Sequence, residues 1–294
     1  MSSLKEIRGR IASVKSTLKI TSAMRLIASA KLHGAQNAVE NMVPYEKALG
    51  HILSQILSSS KDIKAIERFL PGDKESQEYP SDATSGRTAV LLVTSNQTLC
   101  GGFNASLMHA FEGQGFPTDS TTVFAIGKYG LKNARKMGYD TLDRCSMSAH
   151  ADFDASAALA DALVKDFLEG KVNRVKMIYA HFASPLSQPV LVKQFLPLSI
   201  DSLHSEGGAV SEDFIMEPSP EEMLRDLLPQ ELRLQIHSML LDAAAAEHAA
   251  RTQAMQVASD NATELIGELS LQYNKLRQQA ITNEILDLLG GQTN

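Results

Sequence analysis

Two glycines between an apolar run and a helix are the first residues in this chain whose types and spacing suit chemistry. The stretch TLCGGFN, residues 98–104, follows the β-branched run TAVLLVTSN and opens the helical GGFNASLMHAFEG. A strand, a glycine turn and a helix N-terminus can together cradle a phosphate. The chain nevertheless contains neither G-x-x-x-x-G-K-[ST] nor G-x-G-x-x-G, the two spacings that carry that chemistry. Gly101 and Gly102 therefore read as the residues of a tight turn. The eight His are scattered, without H-E-x-x-H or any paired-ligand spacing. Cys100 and Cys145 stand far apart without a cysteine framework and are expected as two free, buried thiols. No catalytic residue, cofactor or metal is expected.

Charge says more. The chain carries a formal net charge of -6, yet its first 40 residues hold seven Lys or Arg against Glu6 and Glu40, a local +5 that leaves -11 for the rest. Such asymmetry points to an acidic partner for the N-terminal segment. Lys5, Arg8, Lys15 and Lys19 form its candidate basic face. Lys15 and Lys19 are like charges four apart and cost an isolated helix a few tenths of a kcal/mol. A nucleic-acid partner would call for stacking residues, and these 40 residues contain no aromatic. No apolar run approaches the roughly 20 residues that span a bilayer, and MSSLKEIRGR lacks the apolar core of a secretory signal. The chain reads as cytosolic.

The elements that position these groups fall into three parts. From Leu4 to about Leu57 apolar residues recur three and four apart at Leu4, Ile7, Ile11, Val14 and Leu18, then at Ile20, Met24 and Ile27 after a phase slip, with Pro44 the one interruption. The middle is α/β: TAVLLVTSN and TTVFAIG read as strands, DASAALADALVKDFLEG as an amphipathic helix ending on Gly, and RVKMIYAHF with PVLVKQFLPLS as a hairpin. From Pro229 to Leu289 the helical pattern returns, with PSPEEMLRDLL before it as a short helix of its own. The expected organisation is a helical segment 1–70, a connector 71–87, an α/β domain 88–204, a connector 205–218 and a helical segment 219–294.

Helices of about 80 and 90 Å cannot hide their apolar stripes inside a domain of ordinary size. Pairing the two ends as an antiparallel two-helix coiled coil, with the α/β domain inserted between them, solves the problem. The final helix then poses a question. Ala262, Leu265, Leu269, Tyr273, Leu276 and Ala280 share one face, whereas Ile281, Ile285 and Leu288 lie about a third of a turn away. The shift at Ile281 is expected to mark where the partner helix runs out, leaving this second face without a helix of its own chain to cover it.

SLKEIRGRIASVKSTLKITSAMRLIASAKL, LCGGFN, AAEHAARTQAM and YNKLRQQAITNEILDLLGG closely resemble the gamma subunit of the F-type ATP synthase of bacterial type, the central rotor shaft. The resemblance covers essentially the whole chain. It implies a terminal antiparallel coiled coil, a Rossmann-like α/β domain, and a non-catalytic subunit at the cytoplasmic face of the bacterial inner membrane, held there only through its complex. The partners it implies are the alpha and beta subunits of the catalytic hexamer, an epsilon-type subunit and the membrane c-ring. Carried over by motif, the contacts with the hexamer would include Met24, Arg25, Arg251, Arg277, Gln278 and Thr282. One departure stands out: members of the family commonly read Asp-Arg-Gly where this chain has Asn96, Gln97 and Thr98. A cytosolic coiled-coil scaffold and a nucleotide-binding α/β protein are the alternative readings.

Overall fold

The computed structural model describes residues 4–59, 69, 87–148, 152–198 and 217–290; within these, the side chains of 58, 59, 148 and 287–290 are not described. The expected connectors 71–87 and 205–218 lie, apart from Arg87, Glu217 and Pro218, outside the described residues. The elements in order are α1 (Leu4–Ser59), β1 (Thr88–Val93), α2 (Phe103–Gly113), β2 (Thr121–Ile126), α3 (Lys128–Lys136), β3 (Asp140–Asp143), α4 (Phe153–Leu168), β4 (Arg174–Ala180), β5 (Val190–Leu196) and α5 (Pro220–Gly290). They divide into two compact units, one of residues 1–30 with 251–294 and one of residues 31–250. The division falls within the two long helices and not at the ends of the α/β segment, because the inner half of each helix is built into the sheet's core.

In the second unit the five strands order as β3-β2-β1-β4-β5. β1 pairs in parallel with β2 and β4, β2 in parallel with β3, and β5 returns antiparallel along β4. β1 is buried at all six positions, as a strand covered on both faces must be. Alternation assigns the faces. Ala89, Leu91 and Val93 share a core with Leu49, Leu53 and Ile56 of α1, Leu159 and Leu163 of α4, and Leu224, Leu228, Leu232 and Ile236 of α5. Val90 and Leu92 pack with Phe103, Leu107 and Phe111 of α2 and with Leu131 and Ala134 of α3.

α5 is one helix of 71 residues with Pro229 inside it; the separate short helix expected at PSPEEMLRDLL does not exist. Leu224, Leu228 and Leu232, on either side of the proline, all enter the same core, and their burial at about 1.5–3 kcal/mol each outweighs the roughly 3 kcal/mol that an interior proline costs. α1 likewise continues across Pro44.

The strand-glycine-helix turn between β2 and α3 is filled from within. At the N-terminus of α3 the N–H of Lys128 donates to Asn96 Oδ1 at 3.0 Å, that of Tyr129 to the Ser95 carbonyl at 3.3 Å and that of Gly130 to Thr94 Oγ1 at 2.9 Å. The chain's own residues hold the donors that an anion would need. Gly127 has φ +114, and a Cβ there would lie 2.0 Å from the Thr94 carbonyl oxygen, so only glycine allows this approach. Asn96 also explains the departure from the family's usual turn: its Nδ2 donates to the Cys145 carbonyl at 2.8 Å. An aspartate would keep the cap on α3 and lose that second bond. Cys100 and Cys145 are free and buried, and burial first of all pushes the Cys145 thiol above its ordinary value.

One buried acid in this unit is incompletely satisfied. Glu231 of α5 is 7% exposed; its Oε1 accepts from Gln235 Nε2 at 3.2 Å, whereas Oε2 is buried without a hydrogen-bond partner. Burial, with Glu46 as a lesser cause, raises its pKa. A carboxyl raised in the folded state contributes stability that is fully present below its unfolded pKa and is lost as pH rises through the folded value. Glu231→Gln should therefore leave the melting temperature of the chain unchanged near pH 4 and raise it progressively towards pH 8, by about 2–4 °C per kcal/mol recovered. Differential scanning calorimetry across that range checks it.

Candidate interaction surface of the paired helices

The first unit is built from the start of α1 and the end of α5. Leu4, Ile7, Ile11, Val14, Leu18, Thr21, Arg25 and Ala28 form its seam on α1, alternating three and four residues, and Ser22 and Met24 beside it are half-buried. The phase slip expected at Ile20, Met24 and Ile27 is absent. The seam stays in step by accepting Thr21, Arg25 and Ala28, while Ile20 and Ile27 stand about 60% exposed. On α5 the matching stripe is Arg251, Met255, Ser259, Ala262, Ile266, Leu269, Tyr273, Leu276 and Ala280. Leu265, expected on this stripe, is exposed, and Ile266 takes its place.

Polar side chains hold the middle of the seam. Thr21 Oγ1 and Ser259 Oγ share a hydrogen bond of 2.9 Å, and Arg25 Nη1 donates to Gln256 Oε1 at 2.7 Å. As the number rises on α1 it falls on α5, so the helices run antiparallel. Gln256 Nε2 in turn donates to the Asp260 carboxylate at 2.9 and 3.0 Å. Thr21 and Ser259 also lie within hydrogen-bonding distance of the Leu18 and Met255 carbonyls. Each hydroxyl has a single proton, so one of these back-bonds gives way whenever the bond across the seam forms.

Counting outward from Thr21 and Ser259 in steps of three and four sets Leu18 opposite Ala262, Val14 opposite Ile266, Ile11 opposite Leu269, Ile7 opposite Tyr273 and Leu4 opposite Leu276. Leu4 is the first described residue of α1, whereas α5 continues to Gly290. Residues 277–290 therefore extend about 21 Å past that point.

The structure distributes the candidate residues among different settings. Arg277, Gln278, Ile281, Thr282 and Ile285 all lie exposed on the extension, with Ile281 at 48% and Ile285 at 51%. Thr282 Oγ1 back-bonds to the Gln278 carbonyl at 2.9 Å. Leu288 is on the same helix, and its side chain lies outside the described ones. Leu286 was not singled out from the sequence and is as open as the isoleucines, at 59%. Met24 is half-buried, and Arg25 is turned to Gln256. Arg251 is 6% exposed, so its own chain encloses most of the side chain. Lys5, Arg8, Lys15 and Lys19 are all exposed and fall within about 80° of one another around α1, at about 100° per residue.

No group of three or more His, Cys, Asp or Glu positioned for a metal ion occurs among the described residues, and no described helix is long and apolar enough to cross a membrane. An antiparallel helix pair in one unit and a five-stranded Rossmann-like sheet in the other define the architectural class.

Comparison with known proteins assigns the family. The family described as ATP synthase matches residues 3–293. The ATP synthase gamma chain of Bacteroides fragilis (strain ATCC 25285) is 42% identical, over 99% of each chain. That of Flavobacterium johnsoniae is 38% identical over 99% of this chain and 98% of its own. Among solved structures, a chain of the Euglena gracilis mitochondrial ATP synthase (OSCP/F1/c-ring, rotational state 3) superposes with a TM-score of 0.66 at 19% identity, covering 99% of this chain and 93% of that one. The chain belongs to the family of ATP synthase gamma chains.

The seam generates a prediction of its own. Thr21→Val and Ser259→Ala should each lower the stability of the full chain by about 1 kcal/mol in urea denaturation, and the double substitution should cost less than the two together by about 0.5–1 kcal/mol. Simple additivity would mean that the hydroxyls do not act as a pair.

Proposed function

We propose that this chain is the central-stalk rotor of a proton-driven F-type ATP synthase, transmitting the turning of a membrane ring to the catalytic hexamer of alpha and beta subunits. An epsilon-type subunit and the c-ring complete its partners. The chain is held peripherally at the cytoplasmic face of a bacterial inner membrane through that complex alone. The observation that carries this reading is the unpaired end of α5, where Ile281 and Ile285 stand half-exposed beyond the last layer of the seam.

Work is done through unequal contact. An asymmetric shaft inside a ring of like catalytic subunits touches each differently, and a contact shifts the nucleotide affinity of a subunit only by the difference in its energy between that subunit's states, about 1.4 kcal/mol per tenfold. Tight ion pairs at the tip would oppose turning. Apolar Ile281, Ile285 and Leu288 beside uncharged Gln278, Thr282 and Asn283 gain burial without such anchors. Met24 and Arg277 would add contacts, and the basic stripe of Lys5, Arg8, Lys15 and Lys19 would face acidic surfaces of the hexamer.

Replacing Ile281, Ile285 and Leu288 together by Ser should leave the melting temperature of the isolated chain within about 2 °C of the parent, because its own fold does not cover the two isoleucines. The assembled complex should lose yield or coupled ATP hydrolysis at least tenfold, as expected when side chains worth about 1.5–3 kcal/mol each at full burial are removed. A large drop in the melting temperature with normal coupling would return this face to the chain's own core.

A further inference from the structure

We propose that α3 is a second docking surface, and that its partner is an acidic, amphipathic segment of another polypeptide in the assembled enzyme. The proposal rests on the chain's membership of such a complex and adds a site outside the paired helices. In a chain of net charge -6, α3 reads KYGLKNARK and carries four cations in nine residues. Lys128, Lys132 and Arg135 fall within about 60° of one another around the helix, with Lys136 beside them. All four are exposed, as is Arg144 just after β3.

Pairs of like charge three and four apart destabilise the helix that carries them, and Lys128 opposes the dipole at the N-terminal end. Asp143 relieves the stripe only in part: Arg135 and Lys128 are lesser causes of its lowered pKa, after its hydrogen bonds to Cys145. Asp143 Oδ1 accepts from the Cys145 N–H at 2.9 Å and Asp140 Oδ2 from Thr122 Oγ1 at 3.2 Å. Arg135 Nε is turned to Thr141 Oγ1 at 3.0 Å.

The stripe borders a shaped surface. Between α2 and α3 lies a groove of about 430 Å³ whose walls include Met108, Tyr129, Asn133, Lys136 and Met137, with the one carboxylate of Glu112 on the α2 side. Tyr129 and Met137 are more than a third exposed. Apolar side chains of a partner segment would enter the groove while its carboxylates lie over Lys128, Lys132 and Lys136. A bilayer is flat and would leave the groove unfilled, so shape and charge together favour a protein segment.

The test uses the intact complex purified from its source. Carbodiimide coupling, which joins an ammonium to a carboxylate in contact with it, should link Lys128, Lys132 or Lys136 to Asp or Glu of another subunit, read by mass spectrometry. These lysines should also acetylate at least tenfold more slowly in the complex than in the isolated chain. Equal acetylation in both, with no link between subunits, would overturn the proposal while leaving the complex, and so the rotor assignment, intact. Salt-sensitive binding of the isolated chain to vesicles of phosphatidylglycerol and phosphatidylcholine, abolished by Lys128→Glu with Lys132→Glu and Lys136→Glu, would assign the stripe to a membrane and equally overturn it.

Discussion

The hydrogen bond between Thr21 and Ser259 sets the relation on which the helix pair depends. An antiparallel seam of aliphatic residues tolerates displacement along its length, since one apolar layer packs much like the next, whereas a buried polar pair is satisfied in a single register. Arg25 and Gln256 repeat the constraint one turn along. Once these groups face one another, every other layer follows by counting, and the point at which α5 outruns Leu4 follows too. The unpaired end of α5 is thus a consequence of where two hydroxyls sit more than a dozen residues away.

The inserted sheet shows the complementary economy. Its topology is the one that in other proteins presents a helix N-terminus to a phosphate, yet Thr94, Ser95 and Asn96 occupy the α3 donors themselves. The same three residues tie β1 to α3, and through Asn96 to the turn after β3. A framework that elsewhere binds ligands serves here to hold two long helices against one face of the sheet and to carry α2 and α3 on the other. The surfaces we propose for contact with other chains are the end of α5, the basic stripe of α1 and the cationic α3.

Much of this was legible from residue patterns. Helices as long as α1 and α5 repeat their spacing often enough to stand out, and β1, β2 and the β4–β5 hairpin carry dense apolar runs. What escaped notice carried weak or conflicting signals. β3 is DTLD, an edge strand with charged ends and no apolar alternation, and α3 has just Leu131 and Ala134 as buried side chains of any size. The phase slip at Ile20 and Ile27 was misread because apolarity was taken for burial. The seam instead selects small and polar residues that can bond across it, and it leaves those isoleucines outside. Pro229 suggested a break because the local cost of a proline is visible in the sequence and the leucine core that outweighs it is not. That Ile281 and Ile285 lie off the paired face was legible because a helix fixes angles between residues, whatever surrounds them.

Amide hydrogen exchange along α5 tests the register and its end most directly. With the seam set by Thr21 and Ser259, amides between Arg251 and Leu276 should exchange slowly in the isolated chain, protection should fall away within about one helical turn beyond Leu276, and the exposed stretch should become protected in the assembled complex. Protection that continued undiminished through Ile285 in the isolated chain, or that ended well before Tyr273, would contradict the register and with it the account of α5 as a helix that ends outside its own pair.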